Sequence, residues 1–589
     1  VNEHIQLDNL HLLKRILPFF SKYKKSIITS IAFIPIIAGL QGVQPLYLKM
    51  VVDTAINHNR TTLKWWVLPA TMFVLLVILF FLRIWQNKIV QEVGQNFVSD
   101  IRAGLFRHLQ ALNIDYFEKT QTGKLITRLT NDIESLSETF TSGVIGGAND
   151  VILLIGTVGF MFYVDWRLTL VQLIFIPLLI GITRIYENGY RYANLESRKE
   201  LAQLNSLFQE TLNGMQVIKL FNVEQRLSAD FKTTNINYMK ANDKAIKADS
   251  SFSAVIELIG ILAVIGVIIA FALLFDFDKG SAGKLVAFVS YSQMLFSPIR
   301  SISEKFSVFQ AGFTSCERIV SLLDEKPSII TLAQNDSIDE GDYGKRYIKF
   351  KNISFKYNEK AEKNILNNIN FELTQGKSLG IVGRTGSGKS TLIKLICRFY
   401  DPTFGEVFLD GRNLRNISPQ EVRKKIVMVP QRSFLFSGTI LDNLVLDKRN
   451  LPMSFIEKTS EETGLINLIN DLEKGFNTEL REGGVDISSG QKQLISLTRA
   501  LIQEPEILIL DEATSNLDNF TEQQVNEAMK RVIHSGRTVI LIAHRLNLVT
   551  ECNQIIVIHN GEIKEAGTHE ELMNKKGTYS HLISLNEVI

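Results

Sequence analysis

One stretch, Gly383-Arg384-Thr385-Gly386-Ser387-Gly388-Lys389-Ser390, limits the folds open to this chain more than any other. It follows the apolar run 379–382, which predicts a buried strand, and precedes 391–396, which predicts a helix beginning at Thr391. Strand, glycine-rich loop and helix in that order are the context in which a P-loop cradles phosphate. The glycines let backbone N–H groups close around phosphate oxygens with no Cβ in the way. The helix N-terminus adds its partial positive charge. In such a loop Lys389 reaches the β- and γ-phosphates, and the Ser390 hydroxyl is placed for Mg²⁺.

A chain of 589 residues is too long for one core, so two or more units are expected. The net charge of +3 leaves no electrostatic footprint for nucleic acid, and no nucleic-acid partner is expected. Cys316, Cys397 and Cys552 are widely separated and lack zinc spacing, so they read as buried or reduced thiols. Long apolar runs crowd the first half and are missing from the second. Six stretches, near 27–47, 66–84, 144–164, 168–185, 252–275 and 285–302, approach the ~20 residues that a bilayer span needs. The fourth and sixth are the least distinct. Residues 10–20 mix Lys14 and Arg15 with Leu, Ile and Phe, which predicts an amphipathic helix lying on membrane lipid.

Lysine and arginine crowd the segment before the first span and the segments between spans two and three and between spans four and five. The positive-inside rule makes these cytoplasmic, with both termini inside, in a multi-pass protein of the cytoplasmic membrane. The long connections keep helical periodicity over 92–112 and 186–211, so the spans are expected to continue into the cytoplasm. Each excursion turns in a short tip, 115–123 and 213–221, carrying Phe117 and Phe221. Apolar groups at the tip of a charged hairpin need a partner surface. Glu257 and Asp150 fall within spans; each is either functional or hydrated near the inner edge. Residues 324–346 read as a linker. The expected division is 1–25 as an N-terminal elbow region, 26–323 as the α-helical membrane domain, and 347–589 as an α/β P-loop NTPase domain.

Further parts of a nucleotide site follow in that last domain. Residues 507–512 predict a buried strand ending in Asp511 and Glu512. Asp511 there holds Mg²⁺ through water and Glu512 orients the attacking water. The strand 538–543 ends at His544, whose imidazole can position and stabilise charge at a γ-phosphate. Gln431 ends the strand 426–429, within reach of metal and water.

With these motifs the chain resembles exporters of the ATP-binding cassette (ABC) superfamily over essentially its whole length, as a half-transporter with one membrane domain and one nucleotide-binding domain. Tyr357 matches the aromatic that stacks on adenine, residues 383–390 the Walker A motif, Gln431 the Q-loop and 507–512 Walker B. Residues 478–484 resemble the X-loop, Asp518 the D-loop acid and His544 the switch histidine. The tips carrying Phe117 and Phe221 match the coupling helices. Ser488, Ser489, Gly490 and Gln491 stand in the signature; Ser489 replaces its usual first glycine, which is the main departure. The resemblance implies ATP and Mg²⁺ as cofactors and a dimer that sandwiches two ATP molecules. It further implies alternating access driven by binding and hydrolysis, and export of a drug-like or lipid-like hydrophobic substrate. A hydrophobic peptide as cargo, and an ATP-gated channel on the same fold, remain alternatives. Exporters with unlike halves often pair an altered signature with an intact Walker B glutamate, so a heterodimer is favoured over a homodimer.

Overall fold

The computed structural model describes residues 18–56, 64–274, 282–326, 329, 346–358, 362–446, 448, 450–511, 519–542 and 547–586. The surface helix expected over 10–20 lies outside them except for its last three residues, as does nearly all of the linker at 324–346. The chain divides into two compact units: residues 1–110 with 121–325, and residues 111–120 with 326–589.

The first unit is built from long helices: Lys24–Ile56, Lys64–Ala111, Thr122–Val164, Trp166–Asn213, Glu224–Leu274 and Ala282–Asp324. Each overlaps one of the six expected spans. Among the described residues the first, second, third and fifth are long and apolar enough to cross a membrane; the fourth holds a shorter apolar stretch, Trp166–Ile182, and the sixth is not among them. Pro35, Pro45, Pro69, Pro177 and Pro298 all lie inside helices; neighbouring helices and Ser/Thr side chains re-satisfy the backbone groups that proline frees. The turn between the third and fourth helices is set by Asp165, whose carboxylate accepts from the backbone N–H groups of Arg167 and Leu168.

Small residues set the closest helix approaches. A Cβ on Gly42 would overlap the Phe160 ring, and one on Gly312 would overlap Thr139. Tyr291, fully buried, donates its hydroxyl to the Gly42 carbonyl at 2.6 Å. The third helix is interrupted by two π-helical turns, Arg128–Asp132 and Thr139–Ile145. Both carry a contact to the sixth helix. Asp132 accepts from Arg318 Nε at 2.8 Å and Nη2 at 2.5 Å, and the Thr139 hydroxyl donates to the Val308 carbonyl at 3.1 Å. Asp150 is not a hydrated acid at a span end. It is held by the Lys305 amine and by the Ser301 hydroxyl, the latter at 2.6 Å, because the third and sixth helices bring opposite charges together in a partly buried setting. Glu257 is exposed. Phe20 stacks between Phe97 and Phe140, with ring centroids 4.0 and 3.9 Å away.

The second unit carries two main sheets. Its strands in chain order are β1 Arg346–Phe355, β2 Leu366–Thr374, β3 Ser378–Val382, β4 Phe404–Leu409, β5 Arg412–Asn413 and β6 Ile426–Val429. They continue with β7 Gly438–Thr439, β8 Glu479–Leu480, β9 Ile507–Asp511, β10 Thr538–Ile542, β11 Gln554–His559 and β12 Glu562–Gly567. An antiparallel sheet has the order β2-β1-β4-β5, and the six-stranded sheet the order β12-β11-β3-β10-β9-β6. In the latter β11, β3, β10, β9 and β6 run parallel. β3 and β10 are buried at every residue, as expected of parallel strands covered on both faces.

Candidate nucleotide-binding site

Ligands of an open parallel sheet bind beyond the carboxyl ends of its strands. Register places the expected residues along that one edge. Ile381 of β3 pairs with Ile542 of β10, which pairs with Asp511 of β9, whose neighbour Leu510 pairs with Val429 of β6. The P-loop follows Val382, and Gln431 follows β6. Asp511 closes β9. Glu512, Asp518 and His544 lie outside the described residues.

Loop 383–388 has the backbone a phosphate cradle needs. Gly386 and Gly388 have φ of 80° and 107°, the left-handed side where a side chain is strained. A Cβ on Gly388 would stand 2.6 Å from Leu366 Cδ2, and one on Gly383 would overlap the Ile558 carbonyl. Helix Lys389–Ile396 starts directly after Gly388 and turns its N-terminus to the loop. Arg384, Thr385 and Ser390 are exposed, whereas Ser387, Lys389 and Thr391 are buried. Lys389 donates its amine to the carbonyls of Gly383 at 2.7 Å and Arg384 at 3.1 Å. The Ser387 hydroxyl is buried with no hydrogen-bond partner among the described residues. Such an orphan is costly unless something polar meets it. A triphosphate fits this loop: it supplies acceptors for an orphan hydroxyl, a lysine and a helix N-terminus. Oxygen donors from Ser390, Gln431 and Asp511 suit Mg²⁺, a hard cation that takes few protein ligands beside substrate phosphates.

Tyr357, beyond the end of β1, lies beside this loop. Its hydroxyl is 3.2 Å from Thr391 Oγ1. Phe355 and Tyr400 meet its ring edge-on with centroids 5.0 Å away in each case.

The signature segment opens helix Ser489–Ile502. Ser488 is the N-cap: its hydroxyl accepts from Gln491 N at 3.2 Å, and Gln491 Oε1 accepts from Ser488 N at 2.9 Å. This reciprocal pair is a capping box, so both side chains have a local structural task that sequence reading alone had not assigned them. The same helix reaches the segment after Gln431. Arg499 donates to the Phe434 carbonyl at 3.1 Å and the Asn443 carbonyl at 2.7 Å. Asn443 in turn brackets Phe436 through N–H and carbonyl bonds, each 2.9 Å. Gly483 of the X-loop segment donates to the Leu435 carbonyl at 3.1 Å. Phe434 and Phe436 are exposed and stack edge-on with centroids 5.2 Å apart.

The two tips fare differently. Helix Ile114–Lys119 has no buried residue, and Phe117 is 42 % exposed. Within the second unit this helix makes polar contacts, from Asp115 and Glu118 to Tyr400 and Lys394. Glu118, Lys394 and Tyr400 had not been singled out in the sequence, where the one signal was an acid beside Phe117. Helix Met215–Phe221 leaves Phe221 72 % exposed.

All three cysteines are unpaired and buried. Burial pushes the Cys316 thiol up to about 11 and the Cys397 and Cys552 thiols up to about 12.

Comparison with known proteins agrees with this geometry. Residues 27–299 match the family described as ABC transporter transmembrane region, and residues 366–515 match the family described as ABC transporter. YknV of Bacillus subtilis, an uncharacterized ABC transporter ATP-binding protein, is 32 % identical over 97 % of this chain and 93 % of its own length. YgaD of Bacillus subtilis, provisionally named a multidrug export ATP-binding/permease protein, is 32 % identical over 98 % of this chain and 100 % of its own. The fold resembles the solved structure of a bacterial Atm1-family ABC exporter with ATP bound, at a TM-score of 0.77 and 23 % identity, covering 95 % of this chain and 98 % of that one. The chain thus belongs to the ABC transporter family, as an ATPase that fuses the transmembrane and ATP-binding regions in one polypeptide.

Proposed function

We propose that this chain is one half of an ATP-driven exporter that moves hydrophobic or amphipathic substrates, drug-like or lipid-like, out across the cytoplasmic membrane by alternating access. The observation that carries this reading is the single sheet edge where the P-loop, Asp511 and Gln431 converge, in a chain that also carries the spans. The provisional name of YgaD supports multidrug cargo. The proposed division is 1–25, 26–323, 324–346 and 347–589, with both termini cytoplasmic by the distribution of Lys and Arg.

Within the site, Lys389 leaves its carbonyl partners for the β- and γ-phosphates, and the Ser387 hydroxyl and loop N–H groups meet phosphate oxygens. Ser390, Asp511 and Gln431 would hold Mg²⁺, which would supply charge neutralisation at the phosphates. Glu512 orients the attacking water and His544 stabilises the γ-phosphate. Tyr357 offers its ring to adenine. Binding favours the closed pair of nucleotide domains, and the tips bearing Phe117 and Phe221 carry that closure to the spans.

The partner is a second, unlike half-transporter. Ser489 and its Cβ sit where close backbone approach to phosphate favours glycine, while Glu512 and His544 are both present. The partner then brings an intact signature to face Glu512. Expression of this chain alone tests this part: a stable homodimer with robust, substrate-stimulated hydrolysis overturns it. Export itself is tested in sealed vesicles. ATP-dependent accumulation against a gradient is expected, whereas ATP-dependent flux without uphill movement would indicate a gated channel. A screen of drugs, lipids and hydrophobic peptides for ATPase stimulation in nanodiscs identifies the cargo class.

A further inference from the structure

Helix Ile114–Lys119 falls in the second compact unit, although the long helices before and after it fall in the first. Polar contacts account for this. Lys394 donates its amine to both Glu118 oxygens, at 2.7 and 3.0 Å. Tyr400 donates its hydroxyl to Glu118 Oε2 at 3.0 Å, with Asp115 Oδ1 at 3.2 Å as a second acceptor.

Lys394 sits on the helix that the P-loop opens, on the stretch that also supplies Thr391. Its amine stands 5.3 Å from the centroid of the Tyr357 ring and 5.7 Å from that of Tyr400. Both distances are within cation–π range. Tyr357 is therefore held on several sides: a cation over the ring, two aromatic edges, and a hydroxyl near Thr391. A ring already ordered costs less to stack against than one that must be immobilised on binding.

We propose that Lys394 is a positioning residue for the nucleotide base: Glu118 holds its amine over Tyr357, fixing the ring on which the base stacks, so that base affinity depends on helix Ile114–Lys119. This rests on the reading of Tyr357 as the base platform. Linkage makes the effect reciprocal, since a base that favours the ordered ring also favours the docked helix by the same factor. The Lys394–Glu118 pair thus reports occupancy of the base site to the first tip along a path separate from the phosphates.

The test compares ATP with inorganic tripolyphosphate, which engages the P-loop without a base. Dissociation constants are measured on the full-length chain in lipid nanodiscs. Tyr357→Ala is expected to weaken ATP and leave tripolyphosphate alone. Lys394→Met and Glu118→Gln should each weaken ATP about two- to five-fold, with tripolyphosphate unchanged. The double variant should be no weaker than the worse single one, because both changes break one link. Lys394→Arg, which keeps a cation over the ring, should restore most of the affinity. If Tyr357→Ala weakens ATP while the Lys394 and Glu118 variants do not, the platform stands and the positioning role falls. If Tyr357→Ala leaves ATP untouched, both fall. Equal weakening of ATP and tripolyphosphate, or additive effects in the double variant, would mean that the pair only stabilises the unit and would also overturn the proposal.

Discussion

The two hairpin tips have the same design in sequence and opposite fates in the structure. Helix Ile114–Lys119 spends its charged side chains on Lys394 and Tyr400 and so is satisfied by its own chain. Helix Met215–Phe221 buries only Ile218 and leaves Val217, Leu220 and Phe221 exposed at 56, 70 and 72 %. Apolar side chains grouped and exposed at the tip of a charged hairpin are what a docking surface offers. The first tip is thus held to the nucleotide unit by its own chain, whereas the second leaves its apolar side chains exposed in the single chain; in the pairing proposed above, the partner half would cover them.

Variants can break this contrast at several levels. The most severe removes the cycle that drives both tips: Glu512→Gln should lower ATP turnover about 100-fold or more while ATP still binds, as expected for loss of the group that orients water. Turnover at the unmodified rate would take Glu512 out of the mechanism. Next, Lys389→Ala strips the cation from the phosphates and should weaken ATP about 10- to 100-fold, read by equilibrium binding. Unchanged affinity would contradict the P-loop assignment.

The tips themselves should respond unequally. Phe221→Asp removes an apolar group whose burial is worth about 1.5–3 kcal/mol, and should abolish substrate stimulation of ATPase with ATP affinity intact. Phe117→Asp should cost less, because polar contacts still hold its helix; a larger loss for Phe117→Asp than for Phe221→Asp would reverse the comparison. The smallest effect concerns pH. Burial pulls the Lys394 amine down more than any other single effect, but the Glu118 hydrogen bond and the interactions with Tyr357 and the Glu118 charge together outweigh it and hold the pKa above the ordinary 10.5. A raised pKa on a cation stabilises the paired state below the ordinary value and is lost only as pH rises through the folded one. The ATP dissociation constants of the unmodified chain and of Lys394→Met should therefore keep a constant ratio from about pH 7 to about pH 9.

Local periodicity and glycine made much of this legible. The P-loop, β3, β6, β9 and β10 all follow from short apolar runs meeting turn residues or acids, and the sheet edge needed only their parallel order. The long helices were legible too, although the fourth and sixth were the faintest because fewer of their turns are apolar. What escaped were contacts between residues far apart in the chain. Nothing near Asp150 announces Lys305, 155 positions on, and nothing near Glu118 announces Lys394, 276 positions on. The π-helical turns escaped for the same reason: they mark where the third helix meets the sixth, which is a tertiary fact. Ser488 and Gln491 did carry a local signal, the Ser-x-x-Gln spacing of a capping box, which the signature motif overshadowed.

Uphill transport tests the central claim most directly. The chain and its partner half, reconstituted into sealed vesicles with the nucleotide domains outside, should accumulate a substrate that stimulates their ATPase. The internal concentration should exceed the external one only with ATP and Mg²⁺, and Glu512→Gln or Phe221→Asp should abolish the excess. Equilibration to equal concentrations in the presence of ATP, with hydrolysis running at its full rate, would contradict an ATP-driven exporter.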